Sequence, residues 1–198
     1  EARRCAALGM RGFEIGSHVG EKSLDHRDFW PLYKVLEDLS CVIFVHPWDM
    51  HMWDGQTAQA ICSVLMGNVL CLFPKLRFCF AHGGGSYPVI RGRVQHGYNV
   101  RPDLCATDCS KGPQELDGLL WTDSLVHDPK ALELLVSTVG KDYIVLGTDY
   151  PFPLGELEVG KVVEEYDGFD SKDRQCLLWD NAIEMLQLDE NTLFRNDF

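Results

Sequence analysis

Two histidines and two aspartates each follow directly on an apolar, strand-like segment. His46 ends CVIFVH, His82 ends LRFCFAH, Asp123 ends LLWTD and Asp149 ends YIVLGTD. In parallel α/β folds the carboxyl ends of the strands meet at one edge of the sheet, so residues distant in sequence converge there. Neutral imidazole nitrogens and carboxylate oxygens are the ligands of zinc-type divalent metals. The pattern therefore predicts a metal site.

These residues also have a structural interpretation. A single histidine after a strand is commonly an ordinary hydrogen-bonded polar residue, and only the shared placement favours a ligand role. The run Gly83–Gly85 behind His82 predicts either a tight strand-to-helix turn or a close backbone approach to a ligand. It has neither the GxGxxG spacing nor the lysine of a P-loop, so a phosphate cradle is the weaker interpretation.

The elements that must position these side chains alternate along the chain. Apolar, β-rich segments predict five strands, at residues 12–16, 41–46, 76–82, 119–123 and 143–149. Helical spacing of apolar residues predicts helices within 29–39, 58–72, 132–139 and 178–186. This order is typical of parallel βαβ units, and the continuous apolarity of the strands predicts that both faces of the sheet are covered.

Composition excludes several classes of protein. The chain has 198 residues, of which 45% are hydrophobic, which is enough for one domain with a substantial core. No segment approaches the roughly 20 apolar residues of a membrane span, and residues 1–12 lack the apolar region of a signal peptide. A net charge of −12 without a basic stripe disfavours nucleic acid as a partner.

The eight cysteines show no CxxC spacing, and several lie inside apolar runs such as CVIFV and RFCFA. Disulfide frameworks belong to oxidising compartments, and isolated cysteines in apolar runs behave as small buried hydrophobic residues. We therefore expect free thiols in a reducing compartment.

Five longer segments carry a resemblance to a known family. They are FVHPWDM, FPKLRFCFAHGGGSYP, GRVQHGYNVRPDLCA, TDSLVHDP and VLGTDYPFPLGELE. They resemble the metal-dependent decarboxylases of the amidohydrolase superfamily, in particular those that act on 2-amino-3-carboxymuconate-6-semialdehyde. The resemblance covers essentially the whole chain. It implies a (β/α)8 TIM-type barrel, in which the five predicted strands are strands 4 to 8 and residues 1–198 form a single, N-terminally truncated metal-dependent domain.

The resemblance also implies roles for individual residues. His46 and Asp149 match zinc ligands of the family, and His82 matches its catalytic histidine. In the hypothesis that follows, Zn2+ lowers the pKa of a water molecule, and His82 accepts a proton and returns it to carbon as carbon dioxide leaves. No oxidant or organic cofactor is needed.

Three further residues match positions that contact the substrate. Arg93 matches an arginine that crosses a homodimer interface to bind a carboxylate of the dicarboxylate substrate, whereas its structural alternative is a surface arginine. Trp48 and Phe152 match aromatic residues that line the pocket, whereas their alternative is core packing. The resemblance implies non-oxidative decarboxylation to 2-aminomuconate-6-semialdehyde in the cytosol, in the kynurenine branch of tryptophan catabolism, which limits quinolinate formation.

The chain departs from the family pattern in ways that leave alternatives open. It contains no His-x-His motif, which supplies two zinc ligands in the family, and an early carboxylate-binding arginine has no counterpart. Between Asp54 and Thr57 it also lacks a segment with tryptophan and proline. One alternative is an incomplete barrel fragment or isoform that acts, if at all, by pairing with full-length subunits. Another is a related decarboxylase or hydrolase with a different substrate.

Overall fold

The computed structural model describes residues 1–49 and 51–189, so the end of the predicted domain lies outside the described residues. The strands are β1 Gly12–Gly16, β2 His18–Val19, β3 Lys22–Ser23, β4 Val42–His46, β5 Arg77–Phe80, β6 Leu120–Asp123 and β7 Ile144–Val145. Strands β1, β4, β5, β6 and β7 form a parallel sheet in that order, and β2 pairs with β3 in an antiparallel hairpin. All five predicted strands are confirmed, and the last is the most shortened.

The helices alternate with the strands, and helices are confirmed within the four predicted ranges, whereas the 14-residue helix Tyr87–Val100 was not predicted. They are α1 Ala2–Ala7, α2 Trp30–Asp38, α3 Trp53–Met66, α4 Val69–Leu72, α5 Tyr87–Val100, α6 Pro102–Cys105, α7 Pro113–Leu116, α8 Pro129–Val139, α9 Lys161–Glu164, α10 Ser171–Gln175 and α11 Asn181–Leu186. The 58–72 prediction corresponds to α3 and α4, which a turn at Gly67 and Asn68 separates. In the described part of the chain no helix is long and apolar enough to cross a bilayer.

Local sequence explains where several of these helices begin. Proline lies in the first turn of α2, α5 and α8, where its fixed φ suits the helix and its missing N–H is not needed. The carboxylate of Asp128 caps α8 by accepting hydrogen bonds from the backbone N–H groups of Lys130 and Ala131. The helix that follows β6 is therefore anchored next to the carboxyl end of that strand.

One face of the sheet carries the larger apolar core. Alternate residues of β4 and β5, among them Ile43, Val45 and Phe78, pack with α2 and α3 in a single buried cluster. Tyr33 of α2 lies in this cluster, and its hydroxyl donates to the Leu24 carbonyl at 2.6 Å. The prediction of a covered face is correct here.

The opposite face is only partly covered. Cys79, Trp121 and Val145 form a smaller cluster with Met185 of α11. Glu14 of β1 pairs in register with Phe44 on this face and is exposed. Within residues 1–49 and 51–189, β1 and β7 do not pair with one another, so the sheet is open and its edges are free. The prediction that both faces are covered is therefore correct for β5, β6 and β7, where Cys79, Trp121 and Val145 are buried, and wrong for β1.

An ion pair between the buried Asp117 and the partly buried Arg91 anchors α5. The Tyr87 hydroxyl donates to Asp117 Oδ1 at 2.6 Å, and Arg91 Nε donates to the other carboxylate oxygen. Burial is the main cause of the raised pKa of Tyr87, and the hydrogen bond to Asp117 is the second. Asp117 lies just before β6, so this network fixes the helix that follows β5 to the next strand.

Candidate metal and active site

The side chains of His46, His82 and Asp149 come together beyond the carboxyl ends of β4, β5 and β7. Asp149 Oδ1 lies 3.2 Å from His46 Nε2 and 3.5 Å from His82 Nε2. The two imidazole rings are nearly perpendicular, with centroids 4.9 Å apart. One ligand atom from each residue lies within 4.8 Å of the others, which is close enough to hold one metal ion. In the described residues no other group of three or more such side chains meets this condition.

A backbone carbonyl orients His46. Its Nδ1 lies 2.9 Å from the Pro47 carbonyl oxygen. Since a carbonyl oxygen can only accept a hydrogen bond, Nδ1 carries a proton and is the donor. Nε2, the other ring nitrogen, then faces Asp149 Oδ1. Two lone pairs at this separation repel each other unless a proton or a cation lies between them. This arrangement, in which a second hydrogen bond sets the tautomer, is usual for metal-ligating histidines.

The backbone at the cluster has unusual conformations. His82 and Asp149 have φ values of 57° and 56°, a region that costs non-glycine residues energy and is often found at functional sites. Gly83 to Gly85 also have positive φ, and a Cβ at Gly85 would lie 2.5 Å from the Asp54 carbonyl oxygen. The glycine run therefore forms the tight turn that aims His82.

Asp123, the fourth residue predicted at a strand end, does not join the cluster. It is buried, and its Oδ1 accepts hydrogen bonds from the backbone N–H groups of Gly83 at 2.8 Å and Leu125 at 3.1 Å. Burial raises the pKa of this carboxyl group. Asp123 holds the turn behind His82 in place.

The predicted substrate-contacting residues lie in different surroundings. The ring of Phe152 stacks on His46, with centroids 5.9 Å apart and an angle of 14° between the ring planes. Trp48 is 62% exposed, and its indole N–H donates to the His18 carbonyl at 2.7 Å. Arg93 is exposed on α5 and does not line any of the cavities beside the cluster.

Three cavities border the cluster. One of about 330 Å³ is lined by His82 and Asp149 together with Trp53, Leu125 and His127. A second, of about 350 Å³, lies on the open face of the sheet, and its lining includes His46, Asp149, Phe44, Phe152 and Glu14. A third, of about 340 Å³, is lined by His46 and Trp48. Asp149 contributes to the first two, so the cluster lies where those two cavities adjoin.

Sequence reasoning did not single out Trp53 and His127, which line the first cavity. The Trp53 ring lies edge-on to His82, with centroids 6.3 Å apart. His127 is exposed and has a φ of 54°. It follows the end of β6 by four residues, so the same strand-end argument could have identified it. Trp53 begins α3 and carries no comparable signal, because an aromatic residue in a helix usually belongs to the core.

Comparison with known proteins places the chain in a family. A model of the amidohydrolase family matches residues 1–188. The 2-amino-3-carboxymuconate-6-semialdehyde decarboxylase of Caenorhabditis elegans is 62% identical over 242 residues, covering 100% of this chain and 60% of that protein. The enzyme of the same name from Dictyostelium discoideum is 44% identical over 206 residues, covering 96% of this chain and 57% of that protein.

Solved structures agree on the fold. Metarhizium anisopliae IDCase superposes with a TM-score of 0.83 at 23% identity, over 95% of this chain and 60% of that one. A dihydroxybenzoic acid decarboxylase from Polaromonas, solved with bound manganese, superposes with a TM-score of 0.77 at 16% identity, over 98% of this chain and 66% of that one.

The chain spans about 60% of the length of the curated relatives it matches. The alignment with the nematode protein runs over more positions than this chain has residues, so that protein has internal positions without a counterpart here. The predicted partial barrel is thus consistent with both the sheet and the comparisons. The match over residues 1–188 and the identity to both relatives show that the chain belongs to the amidohydrolase family.

Proposed function

We propose that this chain carries the metal-binding and proton-transferring part of a zinc-dependent decarboxylase that acts on 2-amino-3-carboxymuconate-6-semialdehyde. The observation that carries the proposal is the convergence of two imidazole Nε2 atoms on one oxygen of Asp149. The names of the two relatives support the substrate. The reaction would release 2-aminomuconate-6-semialdehyde in the cytosolic kynurenine branch of tryptophan catabolism and so limit quinolinate formation.

The residues present fit a zinc-type ion. His46 and Asp149 supply an imidazole nitrogen and a carboxylate oxygen, both donor types of catalytic zinc sites, which keep a further position open. We assign His46 and Asp149 to the metal, because His46 has its Nδ1 fixed by the Pro47 carbonyl. In the described residues His82 has no such hydrogen bond. When bound, zinc would act as a Lewis acid and make a water molecule more acidic.

His82 is the proton carrier in this proposal. Its Nε2 faces Asp149 and its ring borders the 330 Å³ cavity, so it can exchange protons with a molecule bound there. As the carbon–carbon bond to the carboxylate breaks, the electron pair stays on the remaining carbon. His82 then delivers a proton to that carbon while carbon dioxide departs. Trp53 and Leu125 on the cavity wall would exclude bulk water from the reacting atoms.

Arg93 is the proposed ligand of a substrate carboxylate across a homodimer interface. A protein of charge −12 repels a dicarboxylate, and salt screens that repulsion only beyond about 8 Å, so a local cation is needed. The planar guanidinium can bind a carboxylate with two parallel hydrogen bonds. Arg93 is exposed and forms no ion pair within the described residues, which leaves it available to a second subunit.

Replacing His82 with asparagine is expected to lower the rate of decarboxylation at least about 100-fold, the contribution typical of general acid–base catalysis. Zinc content per chain should stay unchanged. The assay follows the loss of substrate absorbance alongside metal analysis after dialysis. His26→Asn changes an exposed histidine outside the cluster and serves as the control. Loss of zinc together with activity would instead make His82 a ligand.

Replacing Arg93 with alanine should raise KM and lower kcat/KM without changing zinc content. If the residue acts across an interface, mixing Arg93→Ala with His82→Asn chains should restore about one quarter of the activity, since half of randomly paired dimers contain one intact site. Dilution of the unmodified protein should lower its specific activity. A mixture no more active than its components would contradict the placement across an interface.

The open sheet supports a second candidate function. Closed barrels leave no strand edges, whereas here β1 and β7 are edges and Glu14 lies exposed on the inner face. A chain of this kind would act by pairing with longer subunits rather than alone. Turnover by the zinc-loaded chain by itself would argue against this candidate, and zinc binding without turnover would favour it.

A further inference from the structure

Two cysteines outside the candidate metal and active site face one another at the protein surface. The Sγ atoms of Cys71 and Cys109 lie 3.8 Å apart. Cys71 is exposed on α4, whereas Cys109 is 1% exposed and lies between α6 and α7. All eight cysteines belong to the described residues, and no other two of their thiols lie within hydrogen-bonding distance.

We propose that Cys71 and Cys109 form a disulfide when a hydroperoxide oxidises the folded chain. Disulfide sulfurs are about 2.05 Å apart, so the pair must approach by roughly 1.8 Å. Rotation of the side chains and small backbone shifts can supply this, because α4 has only four residues and the segment 106–112 is irregular. The expectation of free thiols thus describes the reduced protein.

The surroundings of the two thiols assign them different roles. Cys71 is open to solvent, so a small oxidant can reach it. Burial raises the pKa of the Cys109 thiol, which the nearby Lys111 only partly opposes. Since the thiolate is the reactive form, Cys71 reacts first and Cys109 second.

The chemistry needs one equivalent of hydrogen peroxide as the oxidant. The Cys71 thiolate attacks one peroxide oxygen, an S–O bond forms, the O–O bond breaks, and hydroxide leaves and takes up a proton. The Cys109 thiolate then attacks Cys71 Sγ, an S–S bond forms, the S–O bond breaks, and a second hydroxide leaves. Two thiols and one peroxide become one disulfide and two waters, so the protein loses the two electrons that the peroxide gains.

The link would enclose β5, the glycine turn that aims His82, and α5. The segment around Cys109 is already joined to α5, because the Tyr98 hydroxyl donates to the Cys109 carbonyl at 3.1 Å. A further bond runs from the Gln114 N–H to the side-chain oxygen of Gln95 at 2.9 Å. A covalent bond from α4 to this segment would therefore constrain the part of the chain that carries the proposed catalytic histidine.

Peptide mapping tests the pairing without any assay of activity. Trypsin leaves Cys71 on peptide 35–75 with two other cysteines, and Cys109 on peptide 94–111 with Cys105. The folded chain is treated with one equivalent of hydrogen peroxide, free thiols are alkylated, and the digest is analysed by mass spectrometry. The variants are Cys71→Ser and Cys109→Ser, and the matched controls are Cys62→Ser and Cys105→Ser, which alter the same two peptides.

We expect the unmodified chain to yield the cross-linked pair of peptides, about 2 Da lighter than the two reduced peptides together, and a reductant to separate them. The cross-link should persist in both controls and disappear in Cys71→Ser and Cys109→Ser. A cross-link that survives in either of those variants would overturn the proposal. So would an unmodified chain in which peroxide produces only sulfinic or sulfonic acids.

Discussion

Replacing Asp149 with asparagine is expected to weaken zinc binding by more than about 100-fold. Even residues that only hydrogen-bond to a metal ligand change affinity by 10- to 100-fold, and Asp149 is itself the group on which both imidazoles converge. The amide keeps the shape of the side chain but removes the negative charge that offsets the charge of the ion. His46 then supplies only a neutral nitrogen.

Calorimetric titration of the metal-free chain with zinc measures this effect. Asp142→Asn removes an exposed carboxylate outside the cluster and should bind zinc like the unmodified chain. Zinc affinity of the unmodified chain should also fall as the pH is lowered, because protons compete for the imidazole lone pairs that the ion requires. An Asp149→Asn chain with unchanged affinity would show that the ion binds elsewhere.

Replacing Asp117 with alanine is expected to lower the free energy of unfolding by about 1 to 3 kcal/mol, the cost of leaving a buried polar group without its hydrogen-bond partner. The carboxylate is almost fully buried and serves both the Tyr87 hydroxyl and Arg91. Without it, a buried hydroxyl and a partly buried guanidinium lose their partner. Since α5 follows the glycine turn, this loss should also loosen the turn that aims His82.

Urea unfolding followed by circular dichroism measures the change. Asp103→Ala is the matched control, because Asp103 forms an exposed ion pair with Arg101. Like Asp117, Asp103 lies between β5 and β6 in the sequence. Exposed pairs of this kind contribute little, so its midpoint should not move measurably. Equal destabilisation by both substitutions would show that the Asp117 network has no special role.

Patterns along the chain predicted the order of the five strands but missed α5 between β5 and β6. Continuous apolar segments that end in polar residues predicted the five parallel strands. Strands buried on both faces are apolar along their length, and this pattern can be recognised without knowing which strands are adjacent in the sheet. The strand-end rule brought His46, His82 and Asp149 into one group. The same rule also included Asp123, whose position is equivalent but whose carboxylate accepts backbone N–H groups instead. Position along a strand does not specify what a side chain contacts.

Other features depended on contacts that no local pattern carries. Trp48 lies two residues after His46 and lines a cavity with it, while its indole N–H donates to the His18 carbonyl. Trp53, which the spacing left unassigned, lies edge-on to His82. Both rings occupy positions set by the path of the chain after β4, and rotamers in such loops follow tertiary packing rather than sequence spacing.

By itself, the sequence determined the parallel order of the strands, the residue types of the candidate metal site and the resemblance to the amidohydrolase family. Only the tertiary structure decided which nitrogen of His46 faces Asp149, which cavities adjoin the cluster, and that Cys71 meets Cys109. The physical reason is the separation along the chain over which each kind of interaction acts. Strand and helix preferences act between neighbours, whereas a ligand set or a thiol pair forms only when the packed sheet brings together side chains that are far apart in the chain.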